Sequence, residues 1–166
     1  MINEISSTAI KYGAQYSKII SVKQVEVGEW VYWKCRYGCS LYGKCFTCPP
    51  YSPNPKQMRA ILMGYEYALL VRYDLTQDYH TLLLKLEREA FFGGLYKAFG
   101  LTAGSCRLCD TCNVIEGNCT NPTKARPSME ACGIDVFRTA CNSGLDMKVL
   151  TSKGVNYPRI CLLLLQ

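Results

Sequence analysis

Cys106-Arg107-Leu108-Cys109-Asp110-Thr111-Cys112-Asn113-Val114-Ile115-Glu116-Gly117-Asn118-Cys119 places four thiols in one short run, with spacing C-x2-C-x2-C-x6-C. Neither a helix nor a strand turns side chains to one point at intervals of three in this way. The run therefore reads as a ligand loop, and the fold must be built around it. Thiols spaced C-x2-C-x2-C wrap one face of an iron–sulfur cubane in bacterial ferredoxins. Zinc sites usually pair two C-x2-C knuckles across a dozen or more residues, a gap that the third cysteine removes here. The last spacer is six residues where the ferredoxin run has three. Cys119 can thus close the same cage or serve elsewhere, with Cys132 as its competitor.

A second group lies upstream: Cys35, Cys39, Cys45 and Cys48, spaced C-x3-C-x5-C-x2-C and followed by Pro49-Pro50. Gly38 and Gly43 allow tight turns around a ligand. Two four-cysteine groups give an expectation of two metal centres, each a [4Fe–4S] cluster, with zinc as the alternative metal. The eight expected ligands are Cys35, Cys39, Cys45, Cys48, Cys106, Cys109, Cys112 and Cys119. Cys141 and Cys161 have no assigned role.

Composition narrows the class. The chain has 166 residues and is 49% hydrophobic, enough for one domain with a real core. Eleven cysteines is an odd count. No signal peptide opens the sequence, and C-x2-C neighbours are poorly placed for structural bridges. These features favour metal thiolates over a disulfide scaffold, and they lead us to expect a reducing cytoplasm, typical of an anaerobe. The formal charge is +6 with thiols neutral. Each [4Fe–4S]2+ centre on four thiolates would contribute about −2, bringing the total to about +2. No dense basic stripe with interleaved aromatics points to nucleic acid. The longest apolar run, residues 160–165, is too short to span a bilayer.

Periodicity predicts a short helix within residues 1–16, strands at 18–27 and 30–33, and a cysteine loop at 35–55. A helix at 56–64 and a buried strand at 67–73 follow. The longest helix is expected over 78–99, interrupted by Gly93-Gly94. The second cysteine loop covers 105–124. A helix opened by Pro127 should then run over 128–142, and a strand over 157–165 closes the chain. The expected fold is α/β or α+β, a single domain over 1–166 with a small mixed sheet, three main helices and two cysteine-rich cluster-binding loops.

Cys48-Pro49-Pro50, the Cys106–Cys119 run, and Arg126-Pro127-Ser128-Met129-Glu130-Ala131-Cys132-Gly133-Ile134-Asp135-Val136 together resemble DUF2284, a family described as predicted metal-binding proteins. The resemblance spans about Cys35 to the C-terminus. It implies a cysteine-bound metal and an anaerobic setting, and it supplies no reaction. In the same stretch, a helix N-terminus behind Pro127 would favour an anionic cluster. Arg126 and Ser128 are therefore expected to bind the cofactor.

Three functions are consistent with these residues. The first is electron transfer between the clusters and a redox partner protein. The second is catalysis at an open iron, in sulfur or small-molecule chemistry. The third is a structural zinc module. Acid–base equipment is sparse: His80 is the sole histidine and reads as a capping or surface residue. No dinucleotide, phosphate-loop, zincin or serine-hydrolase motif is present. No helix face demands a homodimer, although a dimer would bring clusters together.

Overall fold

The computed structural model describes residues 2–149 and 157–166. In chain order they form α1 (Ile2–Lys11), β1 (Tyr16–Ser21), α2 (Glu29–Gly38), α3 (Pro55–Leu62), β2 (Tyr67–Tyr73), α4 (Tyr79–Phe92), β3 (Phe99–Leu101), α5 (Val136–Asn142) and β4 (Arg159–Leu164). Single 3-10 turns lie at Val22–Gln24 and Glu130–Cys132. The architecture is α+β. Its four strands run in the order β1-β2-β4-β3, and every pairing is antiparallel where a mixed sheet was expected.

The continuous apolar sequences of β2 and β4 have a direct cause: both faces of the sheet are covered. Leu69, Val71 and Tyr73 of β2, with Cys161 and Leu163 of β4, pack against Ile5 and Ala9 of α1 and Leu83, Leu86 and Ala90 of α4. Ala68 and Leu70, with Ile160, Leu162 and Leu164, meet Met58 and Leu62 of α3, Met129, Ile134 and Ala140 on the other face. A strand buried on both faces loses the alternation that marks a half-exposed one. No described helix is long and apolar enough to cross a membrane.

Three local expectations are corrected. Residues 30–33 are helical, part of α2, and not a strand. Trp30, Trp33 and Tyr37 are exposed, so the aromatic residues that suggested a strand are not packed on a sheet. Val31 faces inward, and Cys35 lies one turn further along the same face. The helix expected to continue to residue 99 stops at Phe92, and residues 99–101 form the edge strand β3. Gly100 makes this close approach to α4 feasible. A Cβ there would lie 2.9 Å from Leu83 Cδ2, and its amide donates to Glu87 at 2.7 Å.

Pro127 does not open a helix. The chain stays extended there, Thr102 bridges to Ser128, and one 3-10 turn ends at Gly133 with φ of +78°. Helix α5 begins only at Val136, capped by Asp135 accepting from the Arg138 amide. The helix N-terminus expected behind the second cysteine loop is therefore absent from Pro127. The 130–133 turn is nevertheless firmly placed. Val27 bridges to Ile134, the Gly28 amide donates to Gly133 O at 2.9 Å, and Gly133 abuts Pro55 at the start of α3. Helix α2 packs on this turn, which fixes Cys35 relative to Glu130.

Candidate metal centres

The first cysteine segment starts on a helix. Cys35 is on α2 and Cys39 is its C-cap. The chain then reverses at Gly43, whose φ is +72° and whose amide donates to Pro49 O at 2.9 Å. Cys45 to Cys48 form a hydrogen-bonded turn, with the Cys48 amide donating to Cys45 O at 3.0 Å. Ser52 Oγ donates to Ala131 O at 2.6 Å, tying this loop to the 130–133 turn. The second loop is closed at its base by amide bonds from Thr102 to Pro127 O and from Met129 to Thr102 O, both 2.9 Å.

These two loops lie together, and their eight thiols divide three and five between two cavities. Cys35, Cys39 and Cys48 line the first, with Tyr42, Ser128 and Glu130, around a cavity of about 200 Å³. Cys45, Cys106, Cys109, Cys112 and Cys119 line the second, around a cavity of about 20 Å³. The Cys45–Cys48 turn separates the two and contributes one thiol to each. Sequence spacing grouped Cys45 with its upstream neighbours; the fold puts it within reach of both Cys48 and Cys112. All eleven cysteines are free thiols.

In the second cavity the surroundings favour the thiolate at Cys45. The Cys45 thiol is buried, which opposes ionisation. The Thr47 hydroxyl and amide and the Cys112 and Cys48 thiols outweigh this, and its pKa is lowered. Cys45 Sγ and Thr47 Oγ1 are 3.4 Å apart. The Leu108 amide supports Cys106 and the Phe46 amide supports Cys112, although burial leaves both thiols with raised pKa values. Asn121 Nδ2 donates to Cys109 Sγ at 3.1 Å. In the first cavity, burial and then Cys45 push Cys48 up to about 12. Burial, Cys39 and Glu130 raise Cys35. Thiols packed so that each penalises the ionisation of the next are relieved by a bound cation.

Among the described residues, no three Cys, His, Asp or Glu side chains converge closely enough to hold a single ion. The thiols are instead distributed around the cavity walls.

The other expected residues have distinct placements. Ser128 lines the first cavity, and its Oγ accepts from the Ala131 amide at 3.1 Å. Arg126 is engaged elsewhere. Its Nε donates to Glu87 at 2.9 Å, its Nη1 donates to Ala125 O at 2.8 Å, and the guanidinium lies 4.8 Å from the Phe99 ring centre. It clamps the base of the second loop to α4. Cys132 is wholly buried in the apolar core beneath the sheet. His80 is half-buried, with Nε2 2.7 Å from Lys124 O.

Sequence reading gave Glu130 no part in a metal site. The structure puts it in the wall of the three-thiol cavity, with Oε2 buried and without a hydrogen-bond partner. Burial raises its pKa; Ser128, the Gly104 amide and Arg159 oppose that without overcoming it. A lone carboxylate within the apolar run from Met129 to Ile134 was the available signal. On the other side of Glu130 lies a larger pocket of about 380 Å³, opening to solvent. Trp30, Val136, Phe137 and Met147 line it together with Cys35 and Cys39.

The donor set fits a thiolate-bound metal cofactor: clustered thiols, amides directed at sulfur, and a buried carboxylate oxygen that nothing satisfies. A family model described as "Predicted metal-binding protein (DUF2284)" matches residues 18–165, nearly the whole chain. No curated protein and no solved structure matches it.

Proposed function

Since the chain belongs to the DUF2284 family of predicted metal-binding proteins, we propose that it holds two [4Fe–4S] clusters and passes electrons to or from a partner protein. The observation that carries this reading is the pair of adjoining cavities walled by eight thiols, with the Cys45–Cys48 turn between them. Four tetrahedral thiolates on zinc stand close together, because each Zn–S bond is only about 2.3 Å. A cubane accepts one ligand at each of four separate metal atoms, which suits thiols spread around a cavity.

When bound, such clusters supply one-electron redox chemistry. The chain's own residues then have defined tasks. Cys106, Cys109 and Cys112, with Cys45 or Cys119, would hold the second centre. Cys35, Cys39 and Cys48 would hold the first. The amides of Thr47, Leu108 and Phe46 favour the negative charge of bound thiolates. Tyr42 and Pro49 cover the first cavity and limit water.

The surface beside α2 supports a protein partner. Trp33 and Tyr37 are 65% and 77% exposed, and Lys34, Arg36 and Lys44 lie on the same segment. Aromatic residues ringed by cations suit an acidic redox protein. A cytoplasmic, reducing location follows from this reading, as such centres need thiols kept reduced.

A second reading is supported by the large apolar pocket beside the three-thiol cavity. A centre with only three thiolates has one metal atom without a thiol, and that atom can act as a Lewis acid on a small molecule. The test of the main reading is anaerobic purification followed by counts of iron, zinc and acid-labile sulfide, with EPR of the reduced protein. Iron and sulfide in equal amounts support clusters. Zinc without labile sulfide contradicts both redox and cluster catalysis and leaves a structural module.

A further inference from the structure

The first cavity has three thiols where a cubane has four corners. Cys45, the nearest fourth thiol in sequence, acts on Cys48 but lines the other cavity, where it also acts on Cys112. The carboxylate in the wall of the first is Glu130. We infer that Glu130 is the fourth ligand of the first centre, a carboxylate completing Cys35, Cys39 and Cys48. This rests on the cluster reading above and assigns its one non-thiolate corner.

Three observations support the assignment. Glu130 Oε2 is buried and makes no hydrogen bond, and leaving a carboxylate oxygen so is costly unless a cation meets it. Arg159, the cation that acts on Glu130, does not remove that cost: its own Nε is also buried and unpartnered. The placement is also rigid. The 130–133 turn is held by Ser52 Oγ on Ala131 O, by the Ser128 Oγ bond to the Ala131 amide, and by the Gly28 amide on Gly133 O. The same contacts fix the turn against α2 and the Cys48 loop, so carboxylate and thiols are held around one space by backbone elements. Hard oxygen ligands suit iron well enough to replace one thiolate. They are weaker donors to a soft metal, so this corner is the exchangeable one. Glu130, Cys35 and Cys39 also line the large pocket, so the exchangeable corner faces the only space near this centre roomy enough for a small molecule, among the cavities described above.

The test uses the full-length protein, purified or reconstituted anaerobically, as wild type, Glu130→Gln and Glu130→Asp. Gln keeps the size of Glu and removes the anionic oxygen. The expected result for Glu130→Gln is loss of about one of about eight irons per chain, with labile sulfide unchanged. A three-iron EPR signal should appear in the oxidised protein, and Asp should restore iron at least in part. Unchanged iron and no three-iron signal overturns the assignment. So does loss of iron and sulfide together with a lowered Tm, which would mark Glu130 as a folding residue. A wild type without labile sulfide overturns the cluster reading and this inference with it, whereas an intact wild-type cluster count with an indifferent Gln variant overturns the inference alone.

Discussion

Cys45 and Cys112, which sequence spacing assigns to different cysteine groups, line one cavity, and each thiol acts on the ionisation of the other. Their proximity joins the two loops into one structure. It also makes each metal centre dependent on both halves of the chain, so neither loop is expected to load independently.

Cys45→Ser should therefore weaken the second centre, although Cys45 belongs to the upstream motif. EPR of the reduced protein with iron analysis checks this. The expected change is loss of the second cluster's signal, up to about four irons per chain, with the three-thiol centre retained. Loss of the first centre's signal alone would return Cys45 to its sequence neighbours.

Arg126 and Glu87 form a largely buried ion pair, their side chains 12% and 15% exposed. Glu87 also accepts from the Gly100 amide. Glu87→Ala leaves Arg126 without its carboxylate and the Gly100 amide without its acceptor. A destabilisation of about 3 kcal/mol is expected, read from urea unfolding under anaerobic conditions. Because Arg126 clamps the loop base and lines neither thiol cavity, cluster spectra below the unfolding transition should be unaltered.

Gly133→Ala tests how the Glu130 turn is held. The position has φ of +78°, and a Cβ would lie 2.7 Å from Pro55 Cγ. Left-handed backbone alone costs a non-glycine residue about 1–3 kcal/mol, and the close contact with α3 adds to it. Lower Tm and weaker loading of the three-thiol centre are expected together. An unperturbed Tm would show that the turn adjusts freely.

Alkaline pH should destabilise the fold through Cys132. Burial, then the nearby Glu130 charge, push its thiol from 9.0 up to about 12. A raised pKa means that the folded state holds the proton more tightly than the unfolded chain. The associated stability is therefore fully present below about pH 9 and is lost progressively between about 9 and 12. Comparing Cys132→Ala with wild type over that range should show a shallower alkaline loss in the variant. Parallel curves would contradict the assignment of this loss to Cys132.

The buried strand read at 67–73 is β2, and the two cysteine loops were evident from their spacing, because continuous apolar runs and clustered thiols are local signals. The three-and-five division was not legible. It depends on which way the Cys45–Cys48 turn faces, and that is decided by Ser52 bonding to Ala131 far along the chain. Helix α2 was concealed by the β propensity of Trp30, Tyr32 and Trp33, which a solvent-facing helix overrides. β3 was concealed because α4's apolar pattern continues past Gly93 into residues that pair with β4. Glu130 was legible only as an oddity, since its significance comes from burial beside three thiols contributed by α2 and the Cys48 loop.

The most direct test of the central claim is the metal and sulfide content of the anaerobically purified chain, with EPR on reduction. About eight irons and about eight labile sulfides per chain, with spin coupling between two reduced centres, is the predicted result. Zinc bound to the thiols with no labile sulfide would contradict it.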